Sequence, residues 1–253
     1  MTPTERAEQL QPVVREVLAS VEKAVVPRRE FNAAEADRVF RISVSDYTES
    51  TLLLHLMRRL RSEAPNITLD VLTPSDISYQ DVEQGSIDLV INRFDVLPQS
   101  FHQMTIWRDT FSCVASIHNP IIHNFTLDNY LESGHVWVSK TGMGVGVGME
   151  PGAELRLGWV DEALTKIGKK RRIRVFTRHY QAAMRLAELN DLVVTLPTKA
   201  AALLVDNPHV VILEPPFDVP EIELKMAWSP LLQHNPAHQW IRRTIADVAK
   251  TLG

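Results

Sequence analysis

Thr141-Gly142-Met143-Gly144-Val145-Gly146-Val147-Gly148 is the densest run of glycine in the chain. A dinucleotide site needs such a run, because backbone N–H groups must come close to a pyrophosphate. The required G-x-G-x-x-G spacing fails here. Counted from Gly142-x-Gly144, the third glycine should stand at 147, where Val147 is; the next register fails at Met149. The run therefore reads as a loop at the mouth of a lobe. His179 follows Phe176-Thr177-Arg178 where a strand gives way to a helix, so its imidazole could accept from a phenol or, protonated, pair with a carboxylate. A helix-capping or interlobe structural histidine is the competing reading, and Arg178 beside it reads as a surface charge. Cys113 sits in the apolar stretch Phe111 to Ile117 and reads as a small buried hydrophobe, with a redox sensor as the alternative. No H-E-x-x-H or G-x-S-x-G motif occurs, and His118 and His123 are loop residues. No metal, no cofactor and no catalytic residue is expected. The basic run Lys169-Lys170-Arg171-Arg172, with Arg174, reads as a solvated turn.

These residues need elements to hold them. Phe40 to Val44 alternates as a strand, and Ser45-Asp46-Tyr47-Thr48-Glu49-Ser50 is a turn rich in helix-capping types. Leu52, Leu53, Leu56, Met57 and Leu60 then form one helical face that ends before Pro65. Ile67, Leu69 and Val71 alternate as a second strand, Ser75-Asp76 is expected to open a short helix closed by Gly85, and Ile87 to Ile91 is a third strand. Strands alternating with helices imply a parallel sheet, whose ligands bind beyond the carboxyl ends of the strands. Those ends are Ser45 to Ser50, Thr73 to Asp76, and Asn92 to Phe94. Trp107 to Ile117 is a long apolar run broken only by Arg108-Asp109-Thr110, able to carry the chain into a second α/β unit; Leu224 to Trp228 returns it.

The N-terminus has a different pattern. Thr2-Pro3-Thr4-Glu5 can start a helix, and Leu10, Val14, Val17, Val21 and Ala24 are spaced four, three, four and three, an a/d seam of two heptads. The helix either packs on its own domain or pairs with another subunit. Its separation from the first strand by Arg28-Arg29-Glu30-Phe31-Asn32 favours pairing.

The 253 residues are enough for two modest lobes with real cores, and 45% hydrophobic with 23% charged residues excludes a disordered chain. A net charge of −4 is not that of an electrostatic nucleic-acid binder. One cysteine permits no intrachain disulfide and fits a reducing compartment. No apolar run approaches a membrane span, and no secretion signal shows. The expectation is a cytoplasmic protein.

Taken in order, FRISVSDYTESTLLLHLMRRLRSEAPNITLDVL, DVEQGSIDLVI, DLVVTLPTKAA and ELKMAWSP, preceded by the amphipathic helix, resemble the LysR-type transcriptional regulators, specifically their effector-binding part. RRIRVFTRHYQAAMRLAELNDLVVTLP is similar to the branch holding nodulation and naphthalene regulators. The resemblance implies two Rossmann-like lobes joined by two crossover strands, an α/β fold of the type 2 periplasmic-binding-protein kind. A linker and dimerisation helix would occupy 1–30, lobe I 38–112 plus 218–253, and lobe II 113–217. It implies a non-enzyme that binds a small aromatic or carboxylate effector between the lobes and assembles as a homodimer or homotetramer. DNA would be reached only through a winged helix-turn-helix, which is absent from this sequence; MTPTERAEQL resembles the end of its wing. The implied effector residues are Ser45, Tyr47, Thr48, Asn92 and Arg93 from the first lobe, facing Thr141, Gly142 and His179, with Thr195 beneath. Tyr47, Phe94 and Phe176 would supply apolar walls. A free-standing solute-binding protein, or a small-molecule enzyme on the same two-lobed scaffold, is the alternative.

Overall fold

The computed structural model describes residues 31–94, 97–138 and 158–252, together with Arg6, Leu10, Val14, Val17, Leu18 and Val21. The chain forms two compact units, Met1–Asn32 and Ala33–Gly253. In the first, the six described residues are helical, and Leu10, Val14, Val17, Leu18 and Val21 are each 43% to 62% exposed. The seam read from the sequence is thus an apolar stripe open to solvent in the single chain, widened by Leu18. Ala24 lies outside the described residues.

The second unit holds two five-stranded sheets built to the same plan. Strands β1 (Arg38–Val44), β2 (Ile67–Leu72), β3 (Leu89–Asn92), β4 (His102–Asp109) and β10 (Ile222–Trp228) form the first, ordered β2-β1-β3-β10-β4. Strands β5 (Phe111–Ser116), β6 (Gly134–Val138), β7 (Arg172–Thr177), β8 (Leu192–Pro197) and β9 (Val210–Leu213) form the second, ordered β7-β6-β8-β5-β9. In each sheet three parallel strands are followed by one that runs antiparallel, β10 or β5, and by an edge strand. The antiparallel strand always arrives from the other lobe. Chain crossing occurs at Thr110, between β4 and β5, and again between β9 and β10.

Local chemistry explains the helices that matter for the site. Ser45 ends β1 in extended geometry (φ −71°, ψ 157°) and its hydroxyl accepts from the Thr48 N–H, capping helix α1 (Asp46–Thr48). A wide π-type turn, Glu49–Leu53, continues it into α2 (Leu54–Glu63), whose buried Leu56 and Leu60 carry the spacing seen in the sequence. Helix α3 (Tyr79–Glu83) starts later than expected. Ser78 and Asp81 form a reciprocal capping box that outcompetes Ser75-Asp76 as the start. The second lobe adds α4 (Leu127–Glu132), α5 (Trp159–Lys166), α6 (Tyr180–Leu186) and α7 (Thr198–Ala201); α8 (Pro236–Lys250) returns to pack on α2 and β4 of the first. Among the described residues no helix is long and apolar enough to cross a membrane.

Candidate functional site

The turn after β1 sits where the two lobes meet. Its first-lobe neighbours follow from the parallel pairing of β1 with β3, which sets Val44 beside Ile91 and so brings Asn92 and Arg93 next to Ser45. Ser45 and Thr48 are buried, their hydroxyls 3.2 Å apart. Asn92 is buried too, and its side-chain Oδ1 accepts from the Arg93 N–H at 2.9 Å. The Arg93 guanidinium reaches across to the second lobe and lies 4.4 Å from the centre of the Trp159 ring at the start of α5.

Tyr47 points at the crossover. Its hydroxyl donates to Asp109 Oδ2 at 2.5 Å and accepts from Trp107 Nε1–H at 3.1 Å. The same carboxylate takes the N–H of Lys199, on α7 of the second lobe, and its other oxygen takes the Thr110 N–H. Burial raises the Asp109 pKa above the usual carboxylate value, while these donors pull it back. Burial, followed by the facing carboxylate, drives the Tyr47 phenol far up, so Tyr47 keeps its proton and serves as the donor of this pair. The Tyr47 ring also packs 5.8 Å from Tyr180 and edge-on to Trp107.

Asp46, one residue earlier, points the other way. Its Oδ2 accepts from the Gln181 N–H of α6 at 3.2 Å, and Gln181 Nε2 donates to Ser50 Oγ at 2.8 Å. Desolvation raises the Asp46 pKa against the opposing backbone donors and the nearby His179.

The expected residues therefore divide. Ser45, Tyr47, Thr48, Asn92 and Arg93 gather at adjoining strand ends. His179 occupies the N-cap position of α6 near Asp46 without a side-chain capping bond, exposed, with its N–H on Thr177 Oγ1. Thr195 is buried, its hydroxyl bonded to the Tyr130 hydroxyl at 2.8 Å and 3.5 Å from the Cys113 sulfur, inside the second lobe. Thr141 and Gly142 lie outside the described residues. Phe94 packs on the Ile77, Val82, Val90 and Phe101 cluster, and Phe176 is half exposed against Trp137. Sequence reasoning missed Asp46, Trp107, Asp109, Trp159, Tyr180, Gln181 and Lys199. The polar Arg108-Asp109-Thr110 break in an apolar run was the available signal for Asp109.

Elsewhere the structure corrects the reading of Arg171 and bears out the reading of Cys113 as a buried hydrophobe. Arg171 is not part of a solvated turn: its side chain is 3% exposed and forms a two-pronged ion pair with Asp161 at 2.7 Å. Cys113 is fully buried and its thiol is pushed up to about 12 by burial, so it is poorly suited to form a thiolate. His234 and His238 stand four apart, a ligand spacing passed over in the sequence. His238 spends one ring nitrogen on the Asp88 carbonyl and the other on Arg242. Among the described residues no group of three His, Cys, Asp or Glu could hold a metal ion.

Comparison with known proteins fits this geometry. The LysR substrate binding domain model matches residues 33–133. The structure of the regulatory domain of MexT, a transcriptional activator in Pseudomonas aeruginosa, is 30% identical with a TM-score of 0.69, covering 85% of this chain and all of that one. The chain belongs to the LysR-type transcriptional regulators. It is 29% identical to nodulation protein D 2 of Rhizobium tropici over 99% of its length and 76% of that protein, and 26% identical to the transcriptional activator NahR of Pseudomonas putida over 98% and 79%. These LysR-type relatives are transcriptional regulators, not enzymes. The two lobes are accordingly the effector-binding domain of such a regulator, with its periplasmic-binding-protein-like fold.

Proposed function

We propose that this LysR-type domain senses a small hydroxylated aromatic acid held between lobe I (38–112 plus 218–253) and lobe II (113–217). The observation that carries the reading is Arg93 of the first lobe lying over Trp159 of the second, beside the Ser45–Thr48 turn. A guanidinium on an aromatic plane offers a carboxylate two N–H donors and an aromatic ring a stacking face. Ser45, Thr48 and Asn92 supply short polar groups at the same strand ends. Tyr47 and His179 flank them, and Thr141, Gly142 and Thr195 complete the set from the second lobe. The apolar stripe of Leu10, Val14, Val17, Leu18 and Val21 supports self-association as a dimer or tetramer, because exposed stripes of that kind mark partner surfaces. DNA contact belongs to the winged helix-turn-helix of the family, and the setting is the cytoplasm.

Calorimetric titration with a panel of hydroxybenzoates tests the reading. A binder should emerge whose affinity falls by about 1–3 kcal/mol in each of Ser45→Ala and His179→Ala, and by more in Arg93→Ala, which removes the charge. Unchanged affinity in all three would place the ligand elsewhere.

A further inference from the structure

We propose that the first helical turn after β1 is a two-point clamp between the lobes, in which the Asp46–Gln181–Ser50 contact is a clasp that opens and the Tyr47–Asp109–Lys199 contact is a pivot that stays made. The two grips differ in place, burial and partner number. Asp109 is the last residue of β4, separated from β5 by Thr110 alone, so it lies on the connection itself. When two bodies turn about a connection, the points on it move least. Both carboxylate oxygens there are bonded, to Tyr47, to Lys199 N–H and to Thr110 N–H, and Tyr47 and Asp109 are only 3% and 6% exposed. The next peptide is tied to the second lobe as well: Thr110 C=O accepts from Thr198 N–H at 2.9 Å, and the two threonine hydroxyls meet at 2.9 Å.

The clasp lacks that protection. Gln181 is exposed, Asp46 and Ser50 are half-buried, and water can replace either of the two bonds that join them. Opening should therefore begin there, because polar contacts that water can replace are the first to yield in local opening. Asp46 and Tyr47 are neighbours on one stiff turn. Ser45 caps it, Thr51 Oγ1 donates to the Tyr47 carbonyl at 2.8 Å, and Ser50 Oγ donates to the Asp46 carbonyl. Release of the clasp is thereby felt at the end of β1, where Ser45 stands.

Electron spin distance measurement on the ligand-free chain tests this, with labels on Arg58→Cys of α2 and Lys166→Cys of α5, both exposed. The buried Cys113 stays unlabelled, and labelling of the parent chain checks that. Asp46→Ala removes the bond from the Gln181 N–H and Gln181→Ala the bond to Ser50, so each should lengthen and broaden the interlobe distance, and the double variant, which breaks both, should do so more than either. Tyr47→Phe should lower the melting temperature without changing the mean distance. A distance distribution unchanged in Gln181→Ala, or one opened as far by Tyr47→Phe as by Gln181→Ala, overturns the clamp. Gln181 is exposed, so its variant carries the test even where Asp46→Ala fails to fold. No effector is added, so the result is independent of the ligand proposed above.

Discussion

Each lobe buries one histidine beside one arginine, and the two lobes neutralise that arginine differently. In the second, His135 donates from Nε2 to the Tyr130 carbonyl at 2.6 Å, and Arg171 is held by the Asp161 carboxylate with two 2.7 Å bonds. In the first, His238 donates from Nε2 to the Asp88 carbonyl at 2.7 Å and accepts from Arg242 on Nδ1. Among the described residues Arg242 meets no carboxylate. Its other bonds go to the Leu232 and Gln233 carbonyls, and it lies 4.4 Å from the centre of the Trp228 ring. Burial would lower both arginine pKa values. Tyr130 and Asp161 reverse this for Arg171, while Arg242 stays below its ordinary value. The comparison teaches that a buried cation can be satisfied by dipoles and a neutral ring as well as by an ion pair, and that the two solutions fail differently. An ion pair that loses one member strands a charge; a set of dipoles that loses one retains the others.

The largest effect should come from breaking the pair. Asp161→Ala is expected to cost about 3–5 kcal/mol in chemical denaturation, because Arg171 is left charged without its counter-ion. A loss near 1 kcal/mol would mean that water enters to solvate Arg171 and the two lobes are alike after all.

Next in size, taken per histidine, is a pH effect common to both lobes. Burial pushes both histidines down to about 4 from the ordinary 6.5. A depressed imidazole is neutral in the folded state while the unfolded chain takes up a proton, so stability is full above about 6.5 and falls as pH drops toward 4. Each histidine should account for about 3 kcal/mol across that window, by order of magnitude. Denaturation midpoints from pH 8 to 4 measure the sum, and His135→Gln or His238→Gln should each remove half of the slope. A flat profile would show that neither ring stays neutral for the reason given.

The smallest effect should be His238→Gln at neutral pH. One of the several partners of Arg242 is altered, and a loss of about 1–3 kcal/mol is expected, below that of Asp161→Ala. Equal losses would erase the distinction between ion pair and dipoles.

The alternation of strands and helices, the crossover at 107–117 and the return at 224–228 were legible because period-two and period-3.6 patterns are local. So was the turn at Ser45, where capping residues follow a strand. The partners of that turn were not. Tyr47 meets Asp109 sixty-two residues on, and Asp46 meets Gln181 at a separation of 135, through contacts that exist only once the lobes pack. Arg171 shows the converse error. Its neighbours in a basic run pointed to solvent, yet Asp161 on α5 lies within reach because the turn at Gly168 (φ +68°) folds the chain back onto the end of that helix, where Lys169 N–H bonds the Leu164 carbonyl.

Residue order alone settles what is decided over a few residues: which segments are strands, where helices start and stop, and which helix face is apolar, since backbone sterics, capping and hydrophobic periodicity act at short range. The pairing of Asp109 with Tyr47, the burial of Arg171 and the meeting of Arg93 with Trp159 depend on how two separate sheets are placed. That placement comes from burial summed over the whole chain, which no single stretch of sequence records.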